Sequence, residues 1–536
     1  MPKITPQNRL ARWRKTWPKL KPLQFVTVLQ RQFPAARVYL VGGMVRDLAI
    51  GRPTTDYDLV VSGIPSANLE RTLGKLGTVD LVGKTFGVFK FVPRGGDRSR
   101  AIDVALPRTE HAFGTGGYRD VQVQSDHTLP IENDLARRDF TVNAMALELT
   151  PLITPSPKSK KVGGKKSLPA TNYPPTGDLP QGDKLLASLV DPHGGMDDLS
   201  REHIRTVGDP GTRFQEDYSR ILRAIRFSCQ LDFEIEAKTW TAVRAGVPQL
   251  NRVAHGERVV PHEVIAKELV KAVVAQPAWA LELLDESGVL QHLMPELLKM
   301  KGCPQPPQFH SEGDVWTHTV LAFGKLDSAG FRREFPRARI TPELVWAVFF
   351  HDVGKPPTLT VSDRIRTNGH DVAGAKIFRQ VAERLKLSSA GLQVDAIEQL
   401  VAKHLLSTHA KRNEMKETTI EKYFFNDQFP GEQLLQLTYV DIAATVPPSG
   451  RPDFETYRIL KRRINALRTR LSAKRRLPKA LLDGHAIMAL LKIPPGPQIQ
   501  QAKDYLREEQ LAGRVRTTNQ AQQVLRKRFG PPRAAK

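Results

Sequence analysis

Between Val38 and Leu106 short β-branched apolar runs alternate with longer helical patterns. VYLV at 38–41 reads as a buried strand, and MVRDLAI at 44–50 spaces its apolar residues as a helix does. A Gly-Arg-Pro break follows, after which Asp56 and Asp58 alternate with Tyr57 and Leu59 at the period of two of a strand. SANLERTLGKLG then reads as a helix, LVGKTFGVFKFV and RAIDVALP as strand segments, and LARRDFTVNAMAL as a basic pair entering an apolar strand. From Pro151 to about Gly182 Pro, Lys, Gly and Ser dominate and there is little to bury, which predicts a disordered segment. Because LASLVDPHGGMDDL resumes the pattern, that segment reads as an insertion into a hairpin, with Gly194-Gly195 as a turn and Asp191 and Asp198 as structural residues. From Phe214 onward helical periodicity takes over almost to the end of the chain. The expected fold class is α+β: a mixed sheet with helices, then all-α regions.

The expected divisions are a basic extension (1–36) with one amphipathic helix near Leu23–Phe33, a head (37–205) carrying the 151–182 insertion, and a helical neck and body (206–302). A further all-α domain (303–450) and a basic helical tail (451–536) follow. That is in keeping with 536 residues, enough for roughly three to four domains.

Charge changes the picture most. A formal net charge of +24 favours a polyanionic partner, and no apolar run approaches the ~20 residues of a membrane span, so nucleic acid leads. The basic N-terminus lacks the apolar core of a secretory signal. Cys229 and Cys303 are too few for a disulfide framework or a cysteine-based zinc site, so a cytoplasmic location and no disulfide-linked partner are expected.

The chemistry concentrates in Val38–Leu59. A strand ending in Gly42 and Gly43 lets backbone N–H groups approach a phosphate; the next helix offers its N-terminus and Arg46 a further charge. Asp56 and Asp58 on one strand face are what divalent metal ions need for phosphoryl transfer. In this order and within about twenty residues, the stretch resembles the signature of the class II tRNA nucleotidyltransferase and bacterial poly(A) polymerase family, the resemblance extending from about Arg37 to about Lys527 apart from the insertion. It implies a nucleotidyltransferase palm at 37–205, with Asp56 and Asp58 holding magnesium. A third acid, Asp103, is placed to assist the attacking RNA 3′-hydroxyl.

Further roles carry over by position. Arg138 is expected on the nucleotide phosphates, and Asp139 and Asn143 on the ribose. The polar, Gly-containing stretch between Arg108 and Asp134 corresponds to a flexible loop that the family associates with switching from C to A addition. In FQEDYSRILRAIRF, Asp217, Arg220, Arg223 and Phe227 share one face if the stretch is a single helix. The family uses this helix as a protein template for the incoming base. Glu216, Asp217 and Arg220 fall in that motif, and Arg223 and Arg226 are expected on the nucleotide or its phosphates.

A second constellation lies in 303–450. His318 in WTHT, His351-Asp352 before Gly-Lys, and a distant Asp441 resemble the HD phosphohydrolase arrangement, with His370 and His404 as candidate second-metal ligands. Imidazole and carboxylate together suit a divalent transition metal, Mg or Mn. The basic run after Arg451 is read as a helix along RNA phosphates, and the tail as resembling the family's tRNA-elbow grip.

The resemblance thus implies an enzyme that adds CCA to the tRNA 3′ end from CTP and ATP, holding the acceptor stem, with a possible HD phosphohydrolase activity. The alternatives are an A-adding enzyme or poly(A) polymerase, or a metal phosphohydrolase acting on RNA ends or cyclic phosphates.

Overall fold

The computed structural model describes residues 5–82, 87–117, 121–149, 189–413, 415–472 and 480–530. The chain divides into two compact units, residues 1–275 with 286–292, and 276–285 with 293–536.

The first unit is built on a seven-stranded mixed sheet in the order β3-β4-β5-β2-β1-β8-β9. An interior strand, β1 (Arg37–Val41), is apolar on both faces and pairs antiparallel with β2 (Asp58–Ser62) and β8 (Ala146–Glu148). On one face Tyr39, Val41 and Val60 pack with Ile131, Leu135, Ala144 and Val207. Burial of Val41, Val60, Ile131, Leu135 and Val207 contributes roughly 1.5–3 kcal/mol each. β3 (Gly77–Val82), β4 (Val88–Pro93) and β5 (Ile102–Ala105) complete the other wing, and β5 runs parallel to β2. β6 (Arg108–Ala112) and β7 (Val121–Ser125) form a separate antiparallel ribbon, so part of the expected flexible loop is ordered as a hairpin. β8 pairs with β9 (Leu189–Val190), which makes 150–188 an insertion into a hairpin; the expected disorder of 151–182 lies outside the described residues.

Two helices precede the sheet. α1 (Pro6–Arg14), which the sequence reading missed, starts at a Thr5 cap and donates from Arg9 Nη1 to the Ala49 carbonyl. α2 (Gln24–Gln32) buries Phe25, Val26 and Leu29, with the Phe25 ring 4.7 Å from Phe91, so it is a packing helix. α3 (Gly43–Ile50) follows β1, and α4 (Ser66–Leu76) links β2 to β3. Then come α5 (Ile131–Ala136), α6 (Gly195–Arg201), α7 (Pro210–Glu216) and α8 (Ser219–Leu231). Asp191 caps α6 by accepting from Gly195 N and Met196 N, and Asp198 accepts from Thr141 Oγ1 and Arg205, so both are structural. α9 (Ala237–Gly246) and α10 (His262–Ala275) close the unit.

Phe214–Phe227 is not one helix. Asp217 is extended (φ −158°, ψ 101°) and breaks it between α7 and α8, because its Oδ1 accepts from Ser219 N and restarts the chain as a cap does.

The second unit is helical around Trp346, Phe349, Phe350 and Phe378. Its principal helices are α11 (Val315–Lys325), α12 (Pro342–Phe350), α13 (His370–Arg384), α14 (Val394–Lys403), α15 (Gly431–Ala444) and α16 (Glu455–Ser472). α16 buries Leu460, Ile464 and Leu467 with Met415, Ile420 and Leu511, so the basic run is amphipathic and one side of it is core. The tail, α17 (Gly484–Leu491), α18 (Pro497–Leu511) and α19 (Thr518–Phe529), packs around Ile487, Leu506 and Leu525. Among the described residues no helix is long and apolar enough to cross a membrane.

Candidate active site and candidate metal centre

In the first unit a cleft of about 520 Å³ opens over the carboxyl end of β1 and its neighbours. Strand register builds its acidic side: Asp58 on β2 is paired with Asp103 on β5, which is paired with Lys90 on β4. Lys90 Nζ donates to Asp103 Oδ1 at 2.9 Å. Asp56 is exposed in the extended segment before β2 rather than in the strand, contrary to the alternation reading. It nonetheless acts on Asp58: burial, then the charges of Asp56 and Asp103, push the Asp58 carboxyl up to about 6. Such a raised carboxylate among other acids is what a divalent cation relieves, so the donor set fits one.

The basic side is a network around Gly42. Gly42 has φ +69°, and a Cβ there would sit 2.6 Å from Arg138 Nη1, so the position needs glycine for both reasons. Its N–H donates to the Met145 carbonyl, so Gly42 itself offers no free amide to a phosphate. Arg46 donates from Nη1 to Asn143 Oδ1 at 2.6 Å and lies 5.4 Å from the Phe227 ring centre. Asp134, fully buried, accepts from both Arg137 and Arg138 at 2.7 and 3.0 Å. The sequence reading missed Asp134, Arg137, Arg108 and Lys90, although an acid three and four residues before two arginines signals such a fork.

Asp139 and Asn143 turn inward. Asp139 accepts from Arg223 Nε at 2.9 Å, from the Phe140 amide and from Asn143 Nδ2. Burial raises its pKa, but the Arg223 charge and these hydrogen bonds outweigh it and hold the carboxyl well below the usual range; the same pairing pushes Arg223 up. Both line the cleft yet are committed to each other, which departs from the expected direct contacts with ribose and phosphate. Arg226 departs further: it is buried on Glu268, donates to Gln230 Oε1 at 2.7 Å, and stacks 3.9 Å from the Phe227 ring centre. Asp217 and Arg220 line the cleft, while Glu216 holds Arg220 Nη1 at 2.6 Å. Burial, opposed by the Ser219 hydrogen bond, raises the Asp217 carboxyl.

In the second unit the sequence-predicted ligands converge. His318, His351 and Asp441 bring one donor atom each within 4.8 Å of one another, and Asp352, His370 and His404 do the same. They come from α11, the residues just past α12, α15, the first turn of α13 and the end of α14. Backbone carbonyls fix the rings. His351, His370 and His404 each hold Nδ1 against a backbone carbonyl, of Val348, Thr367 and Val401, at 2.7–2.8 Å. That leaves every Nε2 facing the cluster, as metal-ligating imidazoles require. Lys355 Nζ lies 2.6 Å from Asp352 Oδ2 and His351 Nε2 3.3 Å from the same oxygen, so that carboxylate already carries a cationic partner, while the imidazole Nε2 atoms and the Asp352 and Asp441 carboxylates converge as a ligand set does. The cluster therefore fits a divalent cation. Glu312, which the sequence reading did not single out, lies 2.9 Å from His318 Nδ1 and 2.7 Å from His310 Nδ1. Burial lowers the His318 pKa, but Asp441 and Glu312 outweigh it and push it up to about 9; burial and the neighbouring His370 and His351 push His404 down to about 4.

Family profiles match three segments: the Poly A polymerase head domain over 38–164, the probable RNA and SrmB-binding site of polymerase A over 232–300, and the HD domain over 328–438. The chain is 30% identical over 354 residues to the multifunctional CCA protein of Cupriavidus metallidurans, a stretch covering 66% of this chain and 71% of that protein. To the multifunctional CCA protein of Stenotrophomonas maltophilia it is 32% identical over 396 residues, 72% and 79% of the two chains. The crystal structure of Bacillus stearothermophilus CCA-adding enzyme in complex with CTP shares the fold at a TM-score of 0.56 and 21% identity, covering 95% of this chain and 98% of that one.

Proposed function

The chain belongs to the multifunctional CCA protein family, and on that premise we propose that it completes tRNA by adding CCA to the 3′ end from CTP and ATP. The observation that carries the reading is the cleft in which Asp58 and Asp103 stand side by side, in register, across from Arg46, Arg138 and Arg220. The amino terminus of α3, Arg46 and Arg138 receive the triphosphate, with Asn143 and Asp134 holding the two guanidiniums at a fixed reach. Magnesium held by Asp56 and Asp58 would neutralise the phosphates and activate the hydroxyl. Asp103 takes the proton of the RNA 3′-hydroxyl, whose oxygen attacks the α-phosphorus as the bond to pyrophosphate breaks. Lys90 must swing aside for that transfer. Asp217 as acceptor and Arg220 as donor present complementary groups to the edge of the incoming base, and the Asp139–Arg223 pair fixes α8 under them.

Second, we read the histidine–carboxylate cluster as a phosphohydrolase centre for RNA ends or cyclic phosphates, with His318, His351, Asp352 and Asp441 as ligands of one divalent cation and His370 and His404 available to another. The names carried by the relatives do not favour the A-adding, poly(A) polymerase or hydrolase-only alternatives. Both cysteines are free thiols, in keeping with a reducing cytoplasm.

The test is nucleotide addition to a tRNA transcript lacking CCA, with CTP, ATP or both, resolved at single-nucleotide length. Two additions with CTP and a third only with ATP are expected. Runs of A from ATP alone, with nothing from CTP, would overturn the reading.

A further inference from the structure

A cleft of about 660 Å³ in the second unit belongs to neither centre. Its floor is aromatic: Tyr439 on α15 lies 5.0 Å from Phe454 and 5.8 Å from Tyr457, ring centre to ring centre. Tyr439 and Phe454 are half-buried, with ring surface left on the cleft side, whereas Tyr457 is buried and donates from its hydroxyl to Glu334 at 2.7 Å. The rim is basic. Arg333, Arg458 and Arg462 are exposed and, among the described residues, none of them forms an ion pair. The one carboxylate of the cleft, Glu334, is already neutralised by Lys461. The Tyr439 hydroxyl has no hydrogen-bond partner among the described residues. A Cβ on Gly330 would come within 2.7 Å of it, so the small residue there lets the ring sit against the wall.

The cleft is distinct from the metal cluster. Tyr439 and Asp441 are two residues apart on α15, so about 200° separates them around the helix axis, and the two sites use opposite sides of it. Nor is the basic character a general property of α16. Arg463 is engaged with the Met415 carbonyl and Arg470 with Glu417, whereas Arg462 uses only its Nε, on the Arg458 carbonyl at 3.4 Å, and Arg458 lies 5.8 Å over the Phe454 ring, so neither has a carboxylate partner.

Ring faces with unpaired guanidiniums at their edge fit one ligand chemistry well: a base that stacks, attached to phosphates that need cations. We propose that this cleft docks an unpaired segment of RNA, a base stacking on Phe454 and Tyr439 and the backbone held by Arg333, Arg458 and Arg462. The proposal rests on the reading that the protein works on RNA, to which it adds a single-strand site outside the head. An acidic peptide would use the arginines but would leave the ring faces without a partner.

The test uses the full chain and a single-stranded octaribonucleotide carrying 2-aminopurine. Wild type should bind it with quenching of the fluorophore. Phe454→Leu, which keeps apolar volume but cannot stack, should lose the quenching and about tenfold in affinity. Arg462→Glu should lose about tenfold and flatten the salt dependence by about 0.7 in log–log slope. Arg364→Glu, an equal charge change at another exposed arginine, should leave binding within about twofold. Arg462→Glu serves even if Phe454→Leu folds poorly. Retained affinity and salt slope in Arg462→Glu, while the protein still extends tRNA, would overturn the docking site alone. Failure of wild type to bind or extend any RNA would overturn the RNA reading and this proposal together.

Discussion

Asp58 illustrates how a candidate catalytic residue costs stability. Its carboxyl is pushed up to about 6 from the ordinary 3.8 by burial and by Asp56 and Asp103. A raised folded-state pKa means the native state favours the neutral form. The penalty is absent below about pH 4 and grows as pH rises toward and past 6, reaching at most roughly 2–3 kcal/mol. Asp58→Asn should therefore melt higher than wild type at pH 8 in magnesium-free buffer and match it near pH 4, while nucleotide addition falls by more than about a thousandfold. An equal melting temperature at pH 8 would mean that Asp58 is not frustrated. Gly42 makes the complementary case. Gly42→Ala meets both a positive φ and the Arg138 guanidinium, so a loss of roughly 1–3 kcal/mol is expected. A rise in KM for CTP and ATP should accompany it as Arg138 is displaced, measured by unfolding and by initial rates.

At the scale of elements, α8 is fastened to the head by the Asp139–Arg223 pair, whose carboxylate is buried while the guanidinium is about a third exposed to solvent. Asp139→Ala removes charge-assisted hydrogen bonds but leaves Arg223 able to reach water, so it should cost about 1.5–3 kcal/mol. Asp139→Ala with Arg223→Met should recover most of that stability without recovering addition, because α8 then packs but is no longer fixed in angle. A double-mutant cycle in urea measures the coupling, and additive losses would show that the two residues do not act as a pair. The break at Asp217 belongs to this scale too. The helical spacing of Asp217, Arg220, Arg223 and Phe227 was visible in the chain, but the Ser219 amide captured by Asp217 was not. A side chain competing with the backbone for one N–H leaves no periodic trace.

For the whole molecule, the acidic cleft and the histidine cluster fall in separate compact units. His351→Ala should leave CCA addition within about twofold and abolish hydrolysis of a 2′,3′-cyclic nucleotide in the presence of divalent metal. Asp58→Ala should do the reverse, and loss of both activities in either variant would show that the centres are coupled. With a net charge of +24, RNA affinity should also fall steeply with salt.

The chain itself determined the order of elements, the strand–Gly-Gly–helix–acid sequence of the head, and the spacing of His318, His351-Asp352 and Asp441. Those depend on local periodicity and on residue chemistry that must be present wherever the chain folds. Only the tertiary structure decided which polar groups line the cleft and which face each other. It paired Asp103 with Lys90, turned Asp139 and Arg223 onto one another, and took Arg226 to Glu268. The reason is that a buried charge must find a partner, and for these pairs the partner is set by packing between positions 13 to 84 apart in the chain, which local spacing does not encode.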